Sequence, residues 1–161
     1  MLFRSSFVKC IEQSVLQPLE MQHSGFELSA ANRQKLATAW MWTYDGRRFE
    51  APTFPLGTAP AGNLYSSVTD LAKFIVAVFQ EGRAPKGKIL TPETLRKMIS
   101  PQTGTDFGIG FHIQQLDGHK KIGHGGAVYG FSTQLEALPE RKLGVVAVAS
   151  LDGSKDRKSV V

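Results

Sequence analysis

Apolar residues near the start of the chain recur at every fourth position, at Phe3, Phe7, Ile11 and Val15. This spacing places them along one face of an amphipathic helix. Proline cannot continue a helix, so Pro18 is predicted to end it. The first element is therefore a helix that buries one side against the rest of the protein.

Two later segments carry helix start signals. Ser67 can cap a first turn, in which Asp70 favours the positive helix end, and Gly82 ends the helix. Its predicted apolar face consists of Val68, Leu71, Ala72, Ile75, Val78 and Phe79. Thr91 followed by Pro92 is typical of a cap and first helical position, which predicts a shorter helix ending before Pro101.

After residue 102 the pattern changes to strands. Residues 107–115 and 120–123 flank Asp117-Gly118, a dipeptide suited to a two-residue hairpin turn. Residues 131–138 alternate apolar and polar positions, and residues 143–149 are apolar on both faces, as expected for a central strand covered on both sides. Helices followed by an antiparallel meander predict the α+β class.

The stretch 43–66 lacks periodicity. Its breakers are Gly46, Pro52, Pro55, Gly57, Pro60 and Gly62. Irregular segments of this length inside a compact domain are uncommon and are often functional loops. We therefore expect a long loop at the rim of a site.

Length and charge limit the possible functions. A chain of 161 residues that is 42% hydrophobic suits one domain with one core. The net charge of +5 comes from scattered basic pairs, and residues 154–161 are expected to form a charged tail, so no nucleic-acid partner is predicted. The single cysteine, Cys10, excludes an internal disulfide, and no apolar run approaches the length of a membrane span.

The segment 123–132, GHGGAVYGFS, is the most informative. His124, Gly125 and Gly126 are placed at the end of one predicted strand, and Gly130 just before the next. Glycines let another backbone approach closely, and a strand edge with free N–H groups can hold an extended substrate or an oxyanion. The alternative is a glycine-rich turn with an incidental histidine, which composition alone favours.

Other motifs carry little weight. Ser132 begins like a nucleophile elbow, but it lies inside an alternating strand. His112, His119 and His124 lack a recognised metal-ligand spacing, so neither a metal nor any other cofactor is predicted. Ser6 and Lys9 fit SxxK, a serine-nucleophile pattern, but one accidental match is expected in a chain with this many serines and lysines.

Three segments in order resemble the later part of the serine β-lactamase-related family, which includes class C β-lactamases, D-alanyl-D-alanine carboxypeptidases and esterases. They are VLQPLEMQHSGF at 15–26, PAGNLYSSVTDLAKFI at 60–75, and the region from FGIGFHIQ through GHGGAVYGFSTQ to VVAVAS at 107–150. The resemblance implies a β-lactamase/transpeptidase-like fold, incomplete at both ends, in which residues 1–161 form a partial domain.

The same resemblance implies site residues. His124-Gly125-Gly126 matches the family motif KTG or HxG, so His124 takes the basic position that orients substrate or assists proton transfer. The backbone N–H of Ala127 becomes the second oxyanion donor, and Gly125, Gly126 and Val128 become substrate-binding residues. A neutral imidazole in place of an ammonium makes an ester or small peptide substrate plausible.

The chain departs from the family pattern at the nucleophile. In the family, SxxK and YxN precede the PLGM-like segment, whereas Ser6 and Lys9 lie within the helix that leads into it. Tyr65-Ser66-Ser67 fits YxS by letter, but it comes too late in the order and is interpreted as a helix entrance.

We therefore expect the C-terminal part of a serine hydrolase that acts by acyl transfer on a β-lactam, D-alanyl peptide or ester. Without the missing N-terminal segment of the fold, the chain alone is expected to be inactive. The alternatives are a non-catalytic module that binds a peptidoglycan peptide and a truncated gene product. The resemblance implies a periplasmic or secreted protein, although no signal peptide is present between residues 1 and 21.

Overall fold

The computed structural model describes residues 6–54, 57 and 59–153. Helices dominate the first part of the chain, and an antiparallel sheet follows. The predicted α+β class is therefore correct. The predicted charged tail 154–161 lies outside the described residues.

The first helix forms where the stripe of apolar residues predicts it. Helix α1, Phe7–Ile11, continues as a π-helical turn, Glu12–Leu16. Phe3 lies outside the described residues. The buried side of this region packs against a helix later in the chain, in a cluster of Ile11, Val15, Leu16, Leu19, Met21 and Ala77. The stripe therefore anchors the start of the described chain to the core.

The two capped helices also form as predicted. Helix α4 spans Val68–Phe79, and the Ser67 hydroxyl accepts a hydrogen bond from the Asp70 N–H. Helix α5 spans Pro92–Met98, and Thr91 caps it in the same way. Between them, the short strands β3, Arg83–Ala84, and β4, Gly87–Lys88, form a two-stranded ribbon.

The expectation of one irregular loop over 43–66 is wrong. After a helical turn α2, Ala30–Arg33, strand β1, Trp40–Trp42, pairs with β2, Arg48–Glu50, and a further helical turn α3 spans Ala59–Gly62. Thr43 closes the β1–β2 turn because its N–H donates to the Arg47 carbonyl oxygen at 2.7 Å and its Oγ1 accepts from the Arg47 N–H at 2.9 Å. Both strands are largely exposed and only three residues long, which is too short for a periodicity to identify them in the sequence.

The main sheet of the described residues has the order β5-β6-β7-β8, all antiparallel. Its strands are β5, His112–Leu116, β6, His119–Val128, β7, Phe131–Leu138, and β8, Leu143–Ala149. A 3-10 turn, Pro139–Arg141, connects the last two. One face of this sheet packs against α4 and α5 in a core that contains Ile75, Val78, Leu95, Phe111, Ile113, Ile122 and Ala137.

Three strand predictions need correction. The first strand begins at His112, five residues later than expected. The residues before it pack against the end of α5 instead: the Gly108 backbone lies so close to the Met98 carbonyl that a Cβ on Gly108 would be 2.0 Å from that oxygen. Strand β6 continues through the glycines to Val128, so His124 does not end it. Strand β8 lies at the edge of the described sheet instead of its centre, and Val145 is 61% exposed.

None of the helices in the described ranges is long and apolar enough to cross a bilayer.

Candidate active site at the open edge of strand β6

Strand β6 changes its partner strand along its length: residues 119–123 pair with β5, residues 122–128 pair with β7, and in the described sheet Ile122 and Gly123 pair with both. The β5–β6 register ends at the His112↔Gly123 pair, whereas the β6–β7 register continues to Val128↔Phe131. From His124 onward, β6 therefore has no β5 partner in the described sheet. This leaves one edge of the strand open along the glycine segment.

The register also shows which backbone groups face that edge. A two-residue turn joins β6 to β7, so its closing pair, Val128↔Phe131, is a hydrogen-bonded pair. Antiparallel ladders alternate bonded and non-bonded pairs, which makes Gly126 and His124 bonded to β7. The N–H and C=O groups of Gly125 and Ala127 therefore point away from β7, toward the open edge.

A cavity of about 670 Å³ lies beside the end of this strand. Its walls come mainly from the α2 region, the segment after β2, the entrance to α4, the tip of the β6–β7 hairpin and strand β8. Its apolar and aromatic lining includes Leu28, Leu36, Pro52, Phe54, Leu64, Tyr65, Val128, Tyr129, Phe131 and Val148. A largely apolar concavity with a few polar groups is the usual form of a small-molecule site.

The hairpin tip is held tightly against the β1–β2 hairpin. Gly130 has φ +78°, and a Cβ there would lie 2.7 Å from the Ala39 Cβ and 2.8 Å from the Trp40 N. Only glycine fits this left-handed and close-packed position. Tyr129, the other turn residue, projects its ring onto Phe54 with 4.9 Å between ring centroids. The tip therefore brings an aromatic pair to the cavity wall.

The structure distributes the predicted site residues along the strand. Val128 lines the cavity, and Ala127 is exposed next to it. Gly125 and Gly126 are half-buried, and the Gly126 carbonyl oxygen accepts a hydrogen bond of 3.4 Å from Thr133 Oγ1. The site residues thus follow one strand instead of converging in the cavity.

His124 is exposed and lies outside the cavity lining. Side chains alternate along a strand, so it shares a face of β6 with Val128, about 13 Å away at the usual rise per residue. Its ring packs near His112, with 6.0 Å between ring centroids. The imidazole is therefore placed to contact a ligand that extends along the strand beyond the cavity.

The other candidate serines have structural partners. Ser6 Oγ caps α1 by accepting the Lys9 N–H at 3.4 Å. Ser132 is buried, and its Oγ donates to the Leu151 carbonyl oxygen at 3.1 Å. Within the described ranges, no three His, Cys, Asp or Glu side chains come together as metal ligands.

Sequence reasoning missed a polar cluster behind the cavity. Asp70 is 0% exposed and accepts hydrogen bonds from the His23 N–H at 2.8 Å and from Ser24 Oγ at 2.9 Å. Its other oxygen accepts from Lys73 Nζ at 2.8 Å. The sequence places Asp70 only at the helix end, because it does not show that residues 23 and 24 fold onto the first turn of α4.

This cluster fixes the charge state of Asp70. Burial alone would raise its pKa, but hydrogen bonds from Lys73, Ser24 and the His23 N–H outweigh it, so the pKa of Asp70 lies below its usual value. Ser66, which lines the cavity, contacts Ser24 with 2.8 Å between the two hydroxyl oxygens. The Tyr65-Ser66-Ser67 segment is therefore both a helix entrance and a cavity wall.

The sequence profile of the Beta-lactamase family matches residues 3–160. The chain belongs to the Beta-lactamase family. This confirms the resemblance drawn from the three segments. A human protein described as putative beta-lactamase-like 1 is 28% identical over 155 residues, which are 89% of this chain and 29% of the human protein.

Solved structures of this family fold superpose well. The octameric penicillin-binding protein homologue from Pyrococcus abyssi has a TM-score of 0.77 at 26% identity, covering 91% of this chain and 34% of that one. A class C β-lactamase has a TM-score of 0.75 at 16% identity, covering 94% and 48%. The β-lactamase/transpeptidase-like fold is therefore confirmed, and the chain spans less than half the length of these Beta-lactamase family proteins.

Proposed function

We propose that this chain supplies the substrate-binding edge of an acyl-transfer site in a serine hydrolase of the Beta-lactamase family. The substrate is a β-lactam, a D-alanyl peptide or an ester. The attacking serine comes from outside these 161 residues, so the chain alone does not hydrolyse such substrates. The observation that carries the proposal is the open edge of β6 beside an apolar cavity.

The open edge suits an acyl substrate in two ways. The N–H and C=O groups of Gly125 can pair with an extended amide backbone, as when a peptide adds a strand to a sheet. The Ala127 N–H can donate to the oxyanion that develops at the attacked carbonyl, a contact that gains strength in the transition state. Both groups are free of the β7 ladder because of the register.

The residues next to this edge indicate where the rest of the substrate binds. Val128 and Tyr129 lie at the cavity wall, so an apolar group attached to the acyl carbon fits the cavity. His124, farther back along the strand, orients the opposite end of the substrate. The P. abyssi relative is a penicillin-binding protein homologue, and penicillin is a β-lactam, which supports a β-lactam among the proposed substrates.

The two serines that match nucleophile motifs by letter support an external nucleophile. The Ser6 hydroxyl serves as a helix cap, and the Ser132 proton is donated to a backbone carbonyl. A serine nucleophile needs a neighbouring base to take its proton. The contacts of these two hydroxyls serve the fold instead.

Ala127→Pro tests the proposal, because it removes a single N–H that the β7 ladder does not use. We expect phenylacetyl-D-Ala-D-Ala to bind the full chain reversibly and to shift the amide resonances of Gly125 and Val128 in NMR titrations. Ala127→Pro should weaken binding by about fivefold or more, the equivalent of one hydrogen bond. Ala127→Val, which keeps the N–H, is the matched control and should bind like the wild type.

The same samples are then incubated with a chromogenic cephalosporin and a p-nitrophenyl ester and weighed by intact-mass spectrometry. We expect no covalent adduct. Equal peptide binding by the proline variant, or stoichiometric acylation of Ser6, would overturn the proposal.

A further inference from the structure

A chain of hydroxyl groups leads from the cavity wall to a buried carboxylate. Ser66 Oγ lies 2.8 Å from Ser24 Oγ, which lies 2.9 Å from Asp70 Oδ2. Asp70 is fully buried and also contacts Lys73 Nζ at 2.8 Å. Lys73 Nζ in turn donates to the Glu20 carbonyl oxygen at 2.5 Å, which ties the segment before Ser24 to helix α4.

The direction of each hydrogen bond follows from counting protons. An ionised carboxylate only accepts, and Asp70 is ionised at neutral pH because three donors stabilise its charge. Ser24 has one hydroxyl proton, which it must donate to Asp70. Ser24 can therefore only accept in its contact with Ser66, and Ser66 must be the donor.

The second contact of Ser66 gives the same direction. Its Oγ lies 3.4 Å from the Ser67 carbonyl oxygen, which is also only an acceptor. Whichever of the two partners receives it, the Ser66 proton points into the protein. Ser66 is exposed and lines the cavity, so what its Oγ can still offer to a ligand there is its lone pairs.

We infer that Ser66 is a specificity-determining residue that presents a hydrogen-bond acceptor to the cavity. The cavity therefore selects a ligand that carries an N–H or O–H donor next to its apolar group, over an isostere without that donor. Sites built to hydrogen-bond a substrate group discriminate most strongly in this way, because a wrong ligand leaves the site's polar atom unpaired. The inference rests on the proposed function only in taking this cavity as a ligand site.

Two probes differ in the donor alone. N-methyl-2-phenylacetamide has an N–H where methyl phenylacetate has an ester oxygen, and both carry the same ring and carbonyl. We expect the amide to bind the full chain about three- to tenfold more tightly than the ester, the range for one neutral hydrogen bond. The dissociation constants come from NMR titrations followed at the Val128 and Tyr129 amides.

Variants separate the hydroxyl from the cavity shape. Ser66→Ala should reduce the amide-to-ester preference to about one, whereas Ser66→Thr, which keeps the hydroxyl, should retain most of it. Thr38→Val removes an exposed hydroxyl that does not line the cavity and should leave the preference unchanged. Urea unfolding of each variant checks that the fold is intact.

Equal binding of the two probes, failure of both to bind, or an unchanged preference in Ser66→Ala would overturn the inference. This result is distinguishable from failure of the proposed function, which depends on Ala127. If the amide preference holds but Ala127→Pro still binds the peptide, the donor-selective cavity stands and the substrate edge does not.

Discussion

The two halves of strand β6 differ although they are continuous. Residues 119–123 pair with β5, Ile122 and Gly123 pair with β7 as well, and Ile122 is 1% exposed in the main core. Residues 124–128 are paired on one side, and Val128 is 38% exposed at the cavity. The first half therefore contributes to stability, and the second half keeps backbone groups available for a ligand.

The comparison shows how a strand can be rigid and still offer backbone groups to a ligand. An open edge alone would be free to pair with another chain. Here the buried half and the β7 ladder fix the strand, so the unpaired N–H groups of Gly125 and Ala127 have a set direction. Preorganised donors of this kind are more effective than mobile ones.

The largest expected contrast is between Ile122→Ala and Val128→Ala. Ile122→Ala creates a cavity in the main core and should lower the free energy of unfolding by about 2–5 kcal/mol. Val128→Ala, in the open half, should cost below about 1 kcal/mol because its side chain is partly solvated. Urea denaturation at pH 7 measures both, and equal losses would show that the halves do not differ in packing.

Two glycines sharpen the same contrast. A Cβ on Gly123 would lie 2.7 Å from the Leu135 carbonyl oxygen, and backbone cannot move aside easily. Gly123→Ala should therefore destabilise the fold by about 1–3 kcal/mol. On Gly126 the nearest atom, also at 2.7 Å, is Thr133 Oγ1, which can rotate away.

Thermal and urea unfolding of the two alanine variants should thus rank Gly126→Ala closer to the wild type. The reverse ranking would contradict the conclusion that residues 119–123 are the more tightly packed half of β6.

Asp70 supports the wall that faces the open half, and its effect depends on pH. Because the folded-state pKa of Asp70 is lowered, its stabilising contribution is fully present above the unfolded value of about 4. That contribution is lost as the pH falls through the lower folded-state pKa. Asp70→Asn should cost on the order of 2 kcal/mol at pH 7, and the difference from the wild type should shrink on acidification.

Asp45→Asn is the matched control. A hydrogen bond from Thr43 is the main cause that lowers the pKa of Asp45, but this carboxylate is exposed on the β1–β2 turn. Its removal should change stability far less than the Asp70 substitution. Urea unfolding of both variants between pH 7 and pH 3 makes the test, and parallel pH profiles would contradict a special role for Asp70.

Regular elements with strong local signals could be predicted from the sequence. The caps Ser67 and Thr91 begin their helices as expected, and the Asp117-Gly118 turn joins β5 to β6. The β1–β2 hairpin could not be predicted, because its exposed strands are only three residues long and its turn depends on a hydrogen bond from the Arg47 N–H to the Thr43 side chain. Local pattern therefore predicted the elements that bury a face and missed those that do not.

The candidate site shows the same division. The glycine segment was recognisable through its match to the family motif HxG, whereas its composition alone favoured a glycine-rich turn. The cluster of Ser66, Ser24 and Asp70 was not recognisable, because Ser24 is 42 residues from Ser66 and 46 residues from Asp70 in the chain. These residues meet only when the segment before Phe26 packs on α4.

The sequence by itself determined where α4 and α5 begin, the class of fold and the turn between β5 and β6, because caps, periodicity and turn residues act over a few positions. The tertiary structure decided which edge of β6 stays open, where the cavity lies and which way the Ser66 proton points. These depend on register and on contacts between distant segments, whose free energy exists only once the chain is folded.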